Sequence, residues 1–139
     1  MKYWLRFIFG FIFIILASSL AFAGFRGSFP GDETPPAPEL ISPTTEGLNL
    51  DGKTEVEFKW IANNYIGLSG YEFKLYKGYQ TNSDTLIISQ KASSSQSVIK
   101  QPLSTFEAGQ VYTWKLRSIA TGGQRSDWSC STFSITTSP

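Results

Sequence analysis

The chain has no histidine and a single cysteine among its 139 residues. Without histidine it cannot build the Ser–His or Cys–His pairs of nucleophilic catalysis, nor a His-ligated metal site. One cysteine cannot close an internal disulfide, so the core must hold the fold by itself, even in an oxidising compartment. Charge of either sign is sparse. Of twelve Lys and Arg, Lys2 and Arg6 fall in the first 23 residues; the remaining ten face eleven acids, a net charge of −1. A nucleic-acid partner, which demands a basic face, is not expected, and no polybasic run addresses anionic lipid. Helical patterning is missing after residue 23: no ten-residue window places apolar residues at i, i+3, i+4 and i+7. Carboxylates such as Asp32, Glu55, Glu57, Glu72, Asp84, Glu107 and Asp127 are scattered over loops and outer strand faces rather than paired. No catalytic residue, metal ligand or cofactor is assigned, and the chain is expected not to be an enzyme.

What is present begins with a leader. Lys2 and Arg6 form a short basic head, Phe7 to Leu16 is apolar apart from Gly10, and Ala21-Phe22-Ala23 offers small residues at both positions read by a signal peptidase. Residues 1–23 are therefore expected to be a signal helix cleaved after Ala23, giving a secreted, periplasmic or cell-envelope protein with no remaining membrane segment. The alternative is an uncleaved anchor that tethers the domain. Residues 24–37, GFRGSFPGDETPPA, are too rich in proline and glycine to pack and read as a flexible, extended arm.

From Pro38 to Thr137 the period changes to two. Val56, Phe58 and Trp60 alternate with Glu55, Glu57 and Lys59; Tyr71, Phe73 and Leu75 alternate with Glu72 and Lys74, with Tyr76 on the outward parity; Tyr112, Trp114 and Leu116 alternate with Thr113, Lys115 and Arg117. Large apolar residues on one face and polar ones on the other make half-buried strands. Shorter strands are expected at Leu40-Ile41, Thr85–Gln90, Val98–Leu103 and around Phe133 and Ile135, and Leu48 and Leu50 allow a brief extended pair. Ile87, Val98 and Leu103 complete the expected core. Seven short strands at about ten-residue spacing, separated by turn residues, are the pattern of a sandwich. Cys130, flanked by serines at the start of the last strand, is expected to be buried, with a Cys130-linked dimer as the alternative to a monomer.

Three features resemble the fibronectin type III family of immunoglobulin-like β-sandwiches: a second strand ending in Trp60, the run Gly70-Tyr71-x-Phe73-x-Leu75-Tyr76, and Leu103…Gly109…Tyr112. The last resembles the corner in which a tyrosine hydroxyl ties back to the upstream backbone, and implies that role for Tyr112. Ser126-Asp127-Trp128-Ser129 resembles the second half of the Trp-Ser-x-Trp-Ser signature of cytokine-receptor fibronectin modules, with Arg125 where that signature has its first Trp. The resemblance implies that Trp128 covers a cation of the preceding strand, Lys115 or Arg117, as a structural ladder. Trp60, Leu103, Tyr112, Trp114 and Arg117 are read as structural residues.

With the core filled, Tyr65, Tyr76, Tyr79 and Trp128 remain as candidate binding residues, together with the left-over Phe106. Exposed tyrosines supply rigid, amphipathic contact area for protein or glycan. The expected function is a non-enzymatic module that binds a protein or carbohydrate ligand. The alternative is a structural spacer or adhesive unit working through a sheet edge, for which the uncharged segment Thr85–Ser89 is the candidate. Clustered exposed aromatics would favour the first reading; their absence would favour the second.

Overall fold

The computed structural model describes residues 33–44 and 46–136. The leader and residues 24–32 lie outside the described residues; among the described ones no helix is long and apolar enough to cross a membrane. The alternating runs form strands: β1 (Glu39–Ser42), β2 (Leu48–Asn49), β3 (Glu55–Ile61), β4 (Leu68–Lys77), β5 (Leu86–Ser93), β6 (Val98–Pro102), β7 (Val111–Ala120) and β8 (Ser129–Thr136). The seven expected strands are thus accompanied by the two-residue β2. They build two sheets, β1-β3-β6 and β2-β8-β7-β4-β5, antiparallel throughout except for the β2–β8 pair. This is an all-β sandwich.

The inward parities of both sheets meet in an aromatic core. Phe58 is its hub, with ring centroids 5.0 Å from Phe73, 5.2 Å from Trp114 and 5.7 Å from Phe133. Edge-on contacts of this kind add to the effect of burial alone. Phe106, left over in the sequence reading, also packs here, 5.1 Å from Tyr112. Trp60 stacks edge-on against Tyr71. The Trp114 indole N–H donates a 2.8 Å bond to the Pro43 carbonyl, which fixes the point where the chain crosses from one sheet to the other between β1 and β2.

Two expected core residues are corrected. Ile87 is 39% exposed, and Ile88 packs on the core in its place; Val98 is only half-buried, while Ile99 is 4% exposed. Directly paired residues share a face. Leu75, Phe73 and Tyr71 are paired with Ile88, Gln90 and Ala92, and Phe58 with Ile99, so the neighbours set the parity. Cys130 is likewise exposed, not buried. Phe133 and Ile135 take the inward parity of β8 and leave Cys130 on the outer face, opposite Lys115.

At the corner before β7, Leu103 packs against the core and its N–H donates to the Thr54 carbonyl. Tyr112 is 1% exposed, and its hydroxyl accepts a 2.7 Å bond from the Glu107 N–H. Tyr112→Phe is expected to cost about 1–2 kcal/mol by leaving that amide without its partner; an unchanged urea midpoint would contradict the role. Gly70 matters for a different reason. A Cβ there would collide with the Ala92 carbonyl oxygen of β5. Gly70→Ala is expected to destabilise by about 1–3 kcal/mol, the usual scale of overpacking, and to loosen β5 from β4. Thermal unfolding checks the first effect and amide exchange in β5 the second.

Candidate functional site

The outward parity of the five-stranded sheet gathers most of the polar chemistry. Register places Glu72 opposite Arg117, Lys74 opposite Lys115, and Lys115 opposite Cys130. Arg117 donates from Nε and Nη2 to Glu72 Oε2 at 2.9 and 2.7 Å, while Lys74 Nζ lies 3.7 Å from Glu72 Oε1. Burial raises the Glu72 carboxyl, but the Arg117 hydrogen bond and charge, with Lys74 and Arg125, outweigh it and hold it below the usual carboxylate value.

Trp128 lies over this rung. Its ring centroid is 4.3 Å from Arg117 Cζ, 4.9 Å from Lys115 Nζ and 5.4 Å from Lys74 Nζ. The segment carrying it is pinned by Ser126, whose hydroxyl accepts from the buried Ser118 N–H at 2.9 Å and donates to the Asp127 carbonyl. Cations on an indole face are attracted by its quadrupole, each by about 0.5–1 kcal/mol where water still reaches the pair.

The four candidate binding residues do not form one platform. Tyr76 is 5% exposed and lies beneath Lys115, 5.9 Å from the ammonium group. Burial pushes its phenol up, and the charges of Glu72 and Cys130 add to the shift. Tyr65 is half-buried, and its hydroxyl donates to the Glu33 carbonyl at 2.7 Å. With Asn63 Nδ2 on the Pro36 carbonyl and the Ser129 hydroxyl on the Pro38 carbonyl, it fastens residues 33–38 to the domain; Pro35 and Pro38 are buried. Trp128 is half-buried in the ladder. Tyr79 alone stands free, 72% exposed in the connection between β4 and β5. It borders a depression of about 310 Å³ with Glu46, Val111, Thr132 and Ser134.

The open edge of this sheet is β5. Over its eight residues, LIISQKAS, Lys91 is the only charge, and Leu86 and Ile87 are 37% and 39% exposed. A second opening, a groove of about 460 Å³, lies where the chain leaves β1 after Ser42, with Leu48, Leu50, Glu55 and Glu57 on its walls. The groove carboxylates are matched by lysines: Glu57 is held below the usual carboxylate value by hydrogen bonds from Lys59 and Lys100. No group of three metal-ligating side chains comes together among the described residues. The Lys74–Lys115 pairing went unnoticed in the sequence, although both were on outward parities; aligning β4 with β7 would have revealed it.

No family model matches the chain, and no curated protein matches it. Solved structures do resemble it. The FN1–FN3 domains of chicken CNTN1 superpose with a TM-score of 0.52 at 11% identity, over 76% of this chain and 32% of that one. A computationally redesigned β-sandwich protein gives 0.53 at 14% identity, over 77% and 98%. A β-1,2-glucanase from Parabacteroides distasonis gives 0.52 at 14% identity, over 81% of this chain and 14% of that one. This chain therefore spans about a third of the CNTN1 structure and a small part of the glucanase. At such identities the likeness concerns the fold alone, and the fold is a fibronectin type III-like β-sandwich.

Proposed function

We propose that this chain is an exported, non-enzymatic module that works by protein contact through the open β5 edge. A fibronectin type III-like sandwich fits a binding or a structural module equally. The observation that favours contact is the edge itself: an eight-residue strand with one charge, exposing Leu86 and Ile87. Edges of soluble sheets are ordinarily blunted by charge, proline or a bulge. β5 has one such irregularity, at Ile87 between the Tyr76–Leu86 and Leu75–Ile88 pairs, and beyond it residues 88–93, with Lys91 the one charge, remain a template for strand pairing. The basic head, apolar run and Ala-Phe-Ala of residues 1–23 support export, and the lack of histidine supports a role without catalysis. The half-buried Ser-x-Trp-Ser segment is read as a brace for β7, not as a receptor surface.

A spacer role is the second reading, favoured because Tyr65, Tyr76 and Trp128 are all engaged inside the molecule. A photoreactive phenylalanine analogue placed at Ile87 of the full chain, in the cells that make it, separates the two. Contact through β5 is expected to give an adduct of defined mass from position 87 and none from Lys59 on the opposite sheet. No adduct from either position would favour the spacer.

A further inference from the structure

Within the five-stranded sheet, Lys74 and Lys115 are direct cross-strand neighbours on the same outer face. Like charges in that relation repel and weaken a sheet. One carboxylate, Glu72, is shared between Lys74 and Arg117. Glu72 accepts Arg117 Nε and Nη2 on Oε2 and pairs with Lys74 only at 3.7 Å on Oε1, one negative charge against two positive ones. Lys115 makes no ion pair among the described residues and rests only on the rings of Trp128 and Tyr76. The next strand adds Lys91, paired opposite Glu72. Three cations, Arg117, Lys74 and Arg125, thus act on one carboxylate, and Lys115 beside them has none among the described residues.

Further along the same face lies the second element. Val111, four residues before Lys115 on β7, borders the depression walled by the exposed Tyr79, the hydroxyls of Thr132 and Ser134, and Glu46. Four strand residues span about 13 Å, the reach of a short oligosaccharide. An exposed aromatic ring beside hydroxyl and carboxylate groups is suited to a sugar, whose C–H face stacks while its hydroxyls bond.

We propose that the outer face of the five-stranded sheet binds an acidic oligosaccharide along β7, with a sulfate or carboxylate bridging Lys74 and Lys115 and a sugar ring further along the oligosaccharide on Tyr79. The anion removes the lysine–lysine repulsion, which is greatest in the empty site, and the ring contact distinguishes a glycan from an acidic peptide. This surface is separate from the β5 edge, and either can fail without the other.

The test is calorimetric titration of the exported chain with a heparin-derived hexasaccharide, an oligogalacturonate of the same length, cellohexaose and a poly-glutamate peptide. Binding of at least one acidic oligosaccharide is expected, weakening as salt rises, with cellohexaose inert. Lys115→Gln is expected to weaken it about tenfold or more, the scale of one charge-assisted hydrogen bond, and Tyr79→Ala to weaken it further. Lys115→Gln should stay folded, because relief of the lysine–lysine repulsion offsets the lost contacts with the Trp128 and Tyr76 rings, so lost binding is separable from lost fold. Three results would overturn the proposal: no binding of either acidic sugar, binding indifferent to Lys115→Gln, or poly-glutamate binding as tightly with no dependence on Tyr79.

Discussion

Phe58→Ala is expected to destabilise the sandwich by about 3–5 kcal/mol, enough to remove much of the stability of a domain this size. The ring is fully buried and reaches from β3 to rings of the opposite sheet, those of Phe73, Trp114 and Phe133, and to Phe106 in the β6–β7 connection. Truncation loses the transfer energy of the ring and leaves a cavity whose walls are themselves rigid aromatics, which collapse poorly into it. Urea unfolding should show a lower midpoint with an unchanged slope. Ile87→Ala, at the exposed edge, should shift stability by no more than about 0.5 kcal/mol, as surface changes do. Equal effects at the two positions would contradict the β5 register.

Arg117→Met is the second large effect, about 3 kcal/mol near neutral pH. That is the low end for breaking a buried pair, because the Arg117 and Glu72 side chains remain 19% and 15% exposed. The loss is expected to depend on pH. In the parent, the Glu72 carboxyl is held below its ordinary value of 4.5, so its stabilisation is complete above that value and disappears as pH falls through the lowered one. In the variant the dominant burial effect is no longer outweighed by the hydrogen bond, and Glu72 is the more easily protonated. The gap between parent and variant should therefore narrow on acidification below pH 4.5. A gap that stays constant would show that Arg117 acts mainly by packing on Trp128.

The parts legible in the sequence were those whose signal repeats within one strand. In β3, and at Tyr71, Phe73 and Leu75 of β4 and Tyr112, Trp114 and Leu116 of β7, a large apolar residue occupies every second position, and the inward faces follow directly. In β5 the run Leu86-Ile87-Ile88 carries no parity of its own, and in β6 Val98 and Ile99 are equivalent as hydrophobes. There the pairing partner decides, and pairing is a long-range fact. Cys130 was illegible for the same reason, being flanked by two serines. Tyr76 sits on the outward parity yet is covered, because Lys115 and the Trp128 ladder arrive from elsewhere in the chain. Tyr65 reads as a free loop aromatic until the Glu33 carbonyl is placed against its hydroxyl. Of the tyrosines offered for binding, only Tyr79 kept the exposure that the role requires.

The functional reading rests on the outer side of β5 being unpaired, and amide hydrogen exchange of the full chain tests that most directly. In an unpaired edge strand every second N–H faces the neighbour and the others face water. Alternate amides across Leu86–Ser93 are expected to exchange about a hundredfold or more faster than those of the central β7, as expected of unpaired edge groups. Protection of all eight at the level of β7 would mean that the edge is covered in the protein and is not the surface through which it acts.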